Sequence, residues 1–214
     1  MELLIGGNLK DKINKTGVLK VTEAIGITKG IAAGLGYTHE KGFIHHDIKP
    51  ENILFASDGS YRITDFGIAK HGASVVKTQP GIIMGSPGYR SPEQAAGEAI
   101  DSRADIYSLG ITLFQMLTGG LPIEGETSSV LAQHITQAPP KPSELNPEIS
   151  GKVESIILKM LQKKPQKRFQ STDALIKSLD GLKLTQDFFF RTAKIKPYSS
   201  YIKERPHGCI EIAS

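Results

Sequence analysis

From Thr22 to about Lys41 the apolar residues Ile27, Ile31 and Leu35 recur every four positions, which predicts a helix with one buried face. Gly26, Gly30 and Gly34 share that spacing on another face. Three interior glycines cost roughly 1 kcal/mol each against alanine. Either that face lies close against another element, or the helix is simply weak. A second stretch, Asp105 to Thr118, is apolar nearly all round (Ile106, Leu109, Ile111, Leu113, Phe114, Leu117) and runs into Gly119-Gly120 and Pro122. It predicts a central, fully buried helix with a glycine stop. Further helices are expected at about Ser128 to Gln137, at Gly151 to Gln162 with Val153, Ile156, Ile157 and Met160 inward, and at Asp173 to Leu179, capped by Ser171 or Thr172.

Strand signals are short. Asn52 to Ala56 and Tyr61 to Thr64 flank the turn residues Ser57-Asp58-Gly59-Ser60, which predicts a small hairpin. Gly67 to Arg90 has no sustained period and reads as a long surface loop, and Ala138 to Pro147 as a proline-rich connector. Beyond Gly181 the pattern fades, and no structure is assigned to residues 183–214 with their Phe188-Phe189-Phe190 run. The expected fold class is mainly α with short β-hairpins (α+β).

Composition narrows the setting. A chain of 214 residues suits one domain, or one with a tail, and buries roughly 70% of its unfolded surface. Hydrophobic residues at 39% and charged residues at 22% are ordinary globular usage. The one cysteine, Cys209, cannot form an internal disulfide, so a reducing, cytoplasmic location is expected. The net charge of +4 is spread along the chain, densest from Lys159 to Arg168, a stretch that reads as a solvated helix end. With no aromatic-basic motif beside it, nucleic-acid binding is set aside. No run of about 18 apolar residues predicts a membrane span, and no signal peptide is visible.

The chemistry is concentrated between Asp47 and Asp65. Phosphoryl transfer needs a carboxylate to take the proton of an attacking hydroxyl, a cation on the phosphates and oxygen ligands for magnesium. Asp47 is a candidate base, Lys49 a candidate phosphate cation, and Asn52 and Asp65 candidate Mg2+ ligands. Phe66 can anchor Asp65 by packing, and Gly67 lets the backbone turn away. His45 reads as a core histidine bonded to backbone.

His45-His46-Asp47-Ile48-Lys49-Pro50-Glu51-Asn52, Asp65-Phe66-Gly67 and Ser91-Pro92-Glu93 together resemble the catalytic-loop, DFG and APE signatures of the protein-kinase superfamily. The Lys-Pro-Glu-Asn ending resembles the serine/threonine branch, and the whole is most similar to the eukaryotic-like (Hanks-type) kinases of bacteria. The resemblance implies ATP and Mg2+ as cofactors, and protein Ser/Thr hydroxyls as acceptors. It places Ser86 in the substrate loop beside the catalytic Asp and Lys, and Leu54 on the nucleotide face. Structural roles are implied for Asp105, which would hold the catalytic-loop backbone, and for Arg168, which would pair with Glu93. It runs from Met1 to about Leu182, with residues 1–9 as a hinge whose Glu2 and Leu4 offer backbone bonds to adenine. Residues 10–182 would then be the C-terminal lobe, and 183–214 a tail.

Two departures from the family pattern stand out. The small lobe's glycine-rich loop, strand lysine and helix glutamate have no counterpart before Glu2, and the stretches Gly26 to Gly36 and Gly81 to Gly88 cannot replace them. The expectation is a C-terminal lobe with hinge, a very poor kinase alone, whose exposed ATP-cleft face (Leu54, Phe66) leads to aggregation or to a covering partner. The second departure is His46, where the family usually has arginine, so loop phosphorylation, at Ser74 or Thr78 for instance, is expected to have little effect. The competing reading is a non-catalytic interaction module or pseudokinase remnant that binds kinase substrates or regulators through the groove around Gly85 to Glu93 and the helix near Ser128.

Overall fold

The computed structural model describes residues 7–56, 59–65, 70–71 and 86–182, and for 70–71 the backbone alone. Helices dominate it. The first, α1 (Leu9–Thr16), was not foreshadowed by a long apolar pattern and rests on a capping box. Asn8 Oδ1 accepts from the Asp11 N–H at 2.8 Å while Asp11 accepts from the Asn8 N–H. Leu9 and Ile13, one turn apart, are its buried pair.

Next comes α2 (Val21–Glu40), whose Ile27, Ile31 and Leu35 are all buried. The glycine stripe on it divides. A Cβ on Gly30 would sit 2.7 Å from the Tyr61 ring, so there the helix does lie close against a neighbour, whereas a Cβ on Gly26 would meet open space. Close packing therefore explains Gly30 and not Gly26.

Strand β1 (Phe43–Ile44) pairs antiparallel with β4 (Lys70–His71), and β2 (Ile53–Phe55) with β3 (Tyr61–Ile63) in the register Ile53↔Ile63 and Phe55↔Tyr61. The expected hairpin is thus present with its ends trimmed by a residue. On the outer edge of β2, Asn8 bridges to Leu54 and the Phe55 N–H donates to Gly7 O at 3.0 Å.

The helices α3 (Pro92–Ala96), α4 (Arg103–Thr118), α5 (Thr127–Thr136), α6 (Pro142–Leu145), α7 (Gly151–Met160) and α8 (Thr172–Asp180) complete the described chain. Every residue from Ala104 to Leu117 of α4 is buried, and the helix packs against α2, α6 and α7. Each buried Leu, Ile or Phe on it contributes about 1.5–3 kcal/mol of transfer free energy, so α4 is the axis of the core. Gly110 makes the α7 packing possible: a Cβ there would lie 2.8 Å from Met160 Cβ. The Ala138 to Pro147 connector contains the short α6, and α8 is capped by Ser171, whose side chain accepts from Ala174 N–H. No helix among the described residues is long and apolar enough to cross a membrane.

One expectation holds only in part. In the Lys159 to Arg168 stretch Lys159, Lys164 and Lys167 are exposed, but the Arg168 side chain is fully buried and Lys163 is half-buried with its ammonium over the Tyr107 ring. Aromatic faces and buried carbonyls hold cations that composition alone assigns to water.

Candidate active site

The site is built downward from α4. Asp105, in its first turn, is fully buried, and its carboxylate accepts from the His45 and His46 backbone N–H groups, both at 2.9 Å, and from His39 Nε2 at 2.8 Å. Burial opposes the charge, but the His39 hydrogen bond and the backbone N–H of His45 outweigh it and hold the carboxyl below its usual range. From the other side Gln94 on α3 donates to His46 O at 2.8 Å. So clamped, His46 takes φ 70°, in the left-handed region that costs an L-residue about 1–2 kcal/mol. His45 is fully buried: its Nε2–H donates to Thr64 O at 2.9 Å and its Nδ1 accepts from the Asp47 N–H at 3.3 Å, which fixes the neutral Nε2–H tautomer.

The turn this produces gathers the polar side chains. Asp47 Oδ2 lies 2.8 Å from Lys49 Nζ and accepts from Asn52 Nδ2 at 3.2 Å; Asn52 Nδ2 also donates to Asp47 O. Lys49 Nζ donates on to Ser86 Oγ at 3.1 Å, although 37 residues separate the two in sequence. A continuous chain thus runs Asn52–Asp47–Lys49–Ser86, mostly shielded from solvent. Asn52 is buried, and its Oδ1 takes no hydrogen bond among the described residues. Thr64 N–H donates to Asn52 O at 2.9 Å, which draws the end of β3 against the turn and sets the exposed Asp65, at φ 63°, next to Asn52.

Ser86 is held by the neighbouring segment. Tyr89, at the end of the 3-10 turn Pro87–Tyr89, donates through its hydroxyl to Gln115 at 2.7 Å, and its carbonyl accepts from Ser108 Oγ at 2.7 Å, both on α4. Then α3 starts with a capping box of Ser91 and Gln94. Glu93 on α3 meets Arg168 in a bidentate ion pair at 2.6 and 2.7 Å, and Arg168 spends its other donors on the carbonyls of Arg103, Gln162 and Lys163. Every guanidinium N–H is used, as a buried arginine requires.

The model of the protein kinase domain family matches residues 1–179. The chain belongs to the protein kinase family. Among the curated proteins it is 38% identical to a probable serine/threonine-protein kinase of Clostridium acetobutylicum over 86% of this chain and 28% of that protein. It is also 38% identical to the serine/threonine-protein kinase PknB of Mycobacterium leprae (80% of this chain, 28% of the relative) and to PrkC of Bacillus subtilis (81% and 27%). The resemblance to bacterial Hanks-type serine/threonine kinases is therefore shown. The chain spans little more than a quarter of the length of each of these relatives.

For a kinase the placement of the expected residues is informative. Asp47, Lys49, Asn52 and Ser86 come together, with Asp65 adjoining; Glu93, Arg168 and Asp105 lie behind them. Leu54 is half-buried on β2 at the Asn8 bridge. Glu2, Leu4, Phe66, Gly67, Ser74, Thr78 and the tail from 183, including Cys209, lie outside the described residues. Sequence reasoning missed His39 and Gln94, which hold the turn. Gln94 carried a signal, the Ser91-x-x-Gln94 capping pattern; His39 carried none, because its partner is 66 residues away.

Proposed function

We propose that the protein transfers the γ-phosphate of ATP to serine or threonine hydroxyls of other proteins, with residues 10–182 forming the large lobe of the catalytic domain. The observation that carries this reading is the Asn52–Asp47–Lys49–Ser86 chain. Asp47 is positioned to orient the accepting hydroxyl and take its proton, since only Oδ2 is engaged by neighbours among the described residues. Lys49, bridging Asp47 and Ser86, neutralises charge on the phosphoryl group as it moves. Ser86 ties the loop that receives the acceptor to the catalytic turn, so an acceptor seated on that loop meets the base. Glu93, Asp105 and Arg168 keep this geometry without touching the reactants.

The donor set fits a magnesium ion: Asn52 Oδ1 and the Asp65 carboxylate are hard oxygens, one unengaged among the described residues and one exposed, and Mg2+ is ordinarily held by one or two such groups plus phosphates. Bound there, the ion would screen the phosphate oxygens. Leu54 supports the reading as an apolar floor for the nucleotide base.

The test is transfer of label from γ-labelled ATP to a mixed protein acceptor. Label should appear on serine and threonine, vanish with EDTA, and fall at least tenfold in Asn52→Ala and in Asp65→Ala. Label on tyrosine alone, or transfer indifferent to EDTA, would overturn the proposal. Absence of transfer from a folded protein would favour the interaction module.

A further inference from the structure

The segment from Ser86 to Ser91 meets the catalytic turn at both of its ends. At the first, Lys49 Nζ donates to Ser86 Oγ at 3.1 Å. At the second, Gln94 Nε2 donates to His46 O at 2.8 Å, across 48 residues of sequence. Gln94 Oε1 meanwhile accepts from the Ser91 N–H at 2.9 Å, and the Gln94 N–H donates back to Ser91 Oγ at 3.3 Å. Both partners of the side-chain amide are main-chain groups of fixed polarity, so its oxygen and nitrogen fit only one way round.

Helix capping accounts for one half of this amide and leaves the other half over. A capping box asks its third helical residue for an acceptor, which glutamate supplies as well as glutamine. Glutamine adds a donor, and here the donor goes to the carbonyl of His46, the residue directly before Asp47 and the one held at φ 70°. A side chain in that region of backbone space stays there only while its surroundings hold it. Asp105 grips the His46 N–H and Gln94 the His46 carbonyl. The first grip comes from the core helix α4, whereas the second comes from α3, whose N-cap Ser91 is the end of the acceptor segment. Glu93, next to Gln94, is anchored by both of its oxygens to Arg168, so α3 carries Gln94 on a fixed mount.

We propose that Gln94 is a positioning residue for phosphotransfer, passing the placement of the acceptor segment to the Asp47 carboxylate through the carbonyl of His46. With that bond made, the accepting hydroxyl and its base ride on one rigid body. Without it, His46 relaxes and Asp47 loses its aim, while the acceptor still binds. This rests on the reading of Asp47 as the group that takes the hydroxyl proton.

The test compares the whole protein with Gln94→Glu, which keeps the acceptor for Ser91 and removes the donor for His46, and with Gln94→Met, which is uncharged and removes both. Phosphotransfer from Mg-ATP to a serine peptide is measured at varied peptide concentration, beside backbone hydrogen exchange of residues 45–49 and urea unfolding. In both variants kcat should fall by about tenfold or more, since misplacing a reacting group by about 1 Å costs up to about a hundredfold, while the peptide KM stays within about threefold. Exchange at residues 45–49 should quicken in both, and that of α4 should stay as it is. A helix cap and nothing more would leave Gln94→Glu equal to wild type in kcat and exchange, with Gln94→Met merely less stable. That pattern overturns the proposal, as does a loss confined to KM. Wild-type protein without transfer counts against the catalytic reading alone, and faster exchange at residues 45–49 in the folded variants then supports the link through Gln94, unchanged exchange overturning it. If neither variant folds, the Gln94 side-chain amide of nitrogen-15-labelled wild type decides. Exchange with water about tenfold or more slower than that of the exposed Gln166 supports the link, and equal rates overturn it.

Discussion

Arg168→Met removes a buried charge and keeps most of the side-chain length, and its cost follows from the surroundings of the guanidinium. The Arg168 side chain is fully buried and that of Glu93 is 4% exposed, so the substitution strands a carboxylate in the core. It also strips a donor from each of the carbonyls of Arg103, Gln162 and Lys163. Breaking a buried pair from one side costs about 3–5 kcal/mol. Set against a typical domain stability of about 5–15 kcal/mol, that is a large fraction of the whole. Glu93→Gln leaves one acceptor oxygen in place but strands the buried Arg168 guanidinium without its counter-charge, so it too should cost about 3–5 kcal/mol. The double variant buries no unpaired charge, so it should cost no more than Arg168→Met alone, a coupling of about 3 kcal/mol or more. Urea unfolding followed by far-ultraviolet circular dichroism on the four proteins gives the numbers. A cost below about 1 kcal/mol for Arg168→Met, or single costs that simply add, would refute the argument.

Within α2 the glycines should respond with opposite signs. Gly26→Ala, into open space, should stabilise by about 0.5–1 kcal/mol, while Gly30→Ala, 2.7 Å from the Tyr61 ring, should destabilise by about 1–3 kcal/mol; urea midpoints that move the same way would contradict this. His134, on α5 and fully buried with Nδ1 3.1 Å from the Tyr107 hydroxyl, has its pKa lowered from 6.5 to about 4 by burial and by the Lys163 charge. The unfolded chain therefore binds the extra proton first, so stability is full above pH 6.5 and is lost as pH falls towards 4, by about 3 kcal/mol for this one group. His134→Gln should flatten that part of the pH–stability curve, and parallel curves for the two proteins would sink the idea.

What the sequence disclosed and what it hid follow from range. Period and caps are local, so α2, α4, α5, α7 and α8 were legible within one or two residues, and the hairpin with them. The motif residues at Asp47, Lys49 and Asn52 were legible because a short turn holds all three. Helix α1 was missed although Asn8 and Asp11 form a capping box, because two buried residues make no visible period. The clamp on His46 was hidden in part: the resemblance implied Asp105, but Gln94, which grips His46 from α3, and His39, which supports Asp105 from α2, are brought in by the fold, and no spacing along the chain records that convergence. Arg168 shows the limit of composition, since a basic stretch read as solvated contains the most completely satisfied buried charge described here.

The central claim is that Asp47 takes the proton of a serine or threonine hydroxyl. It is tested most directly by initial rates of phosphotransfer from Mg-ATP for the protein and for Asp47→Asn side by side, with circular dichroism to show equal folding. Asp47→Asn should lower the rate by about 10²–10⁴-fold, the usual contribution of a general base, while nucleotide affinity changes little. Equal rates for the two folded proteins would contradict it.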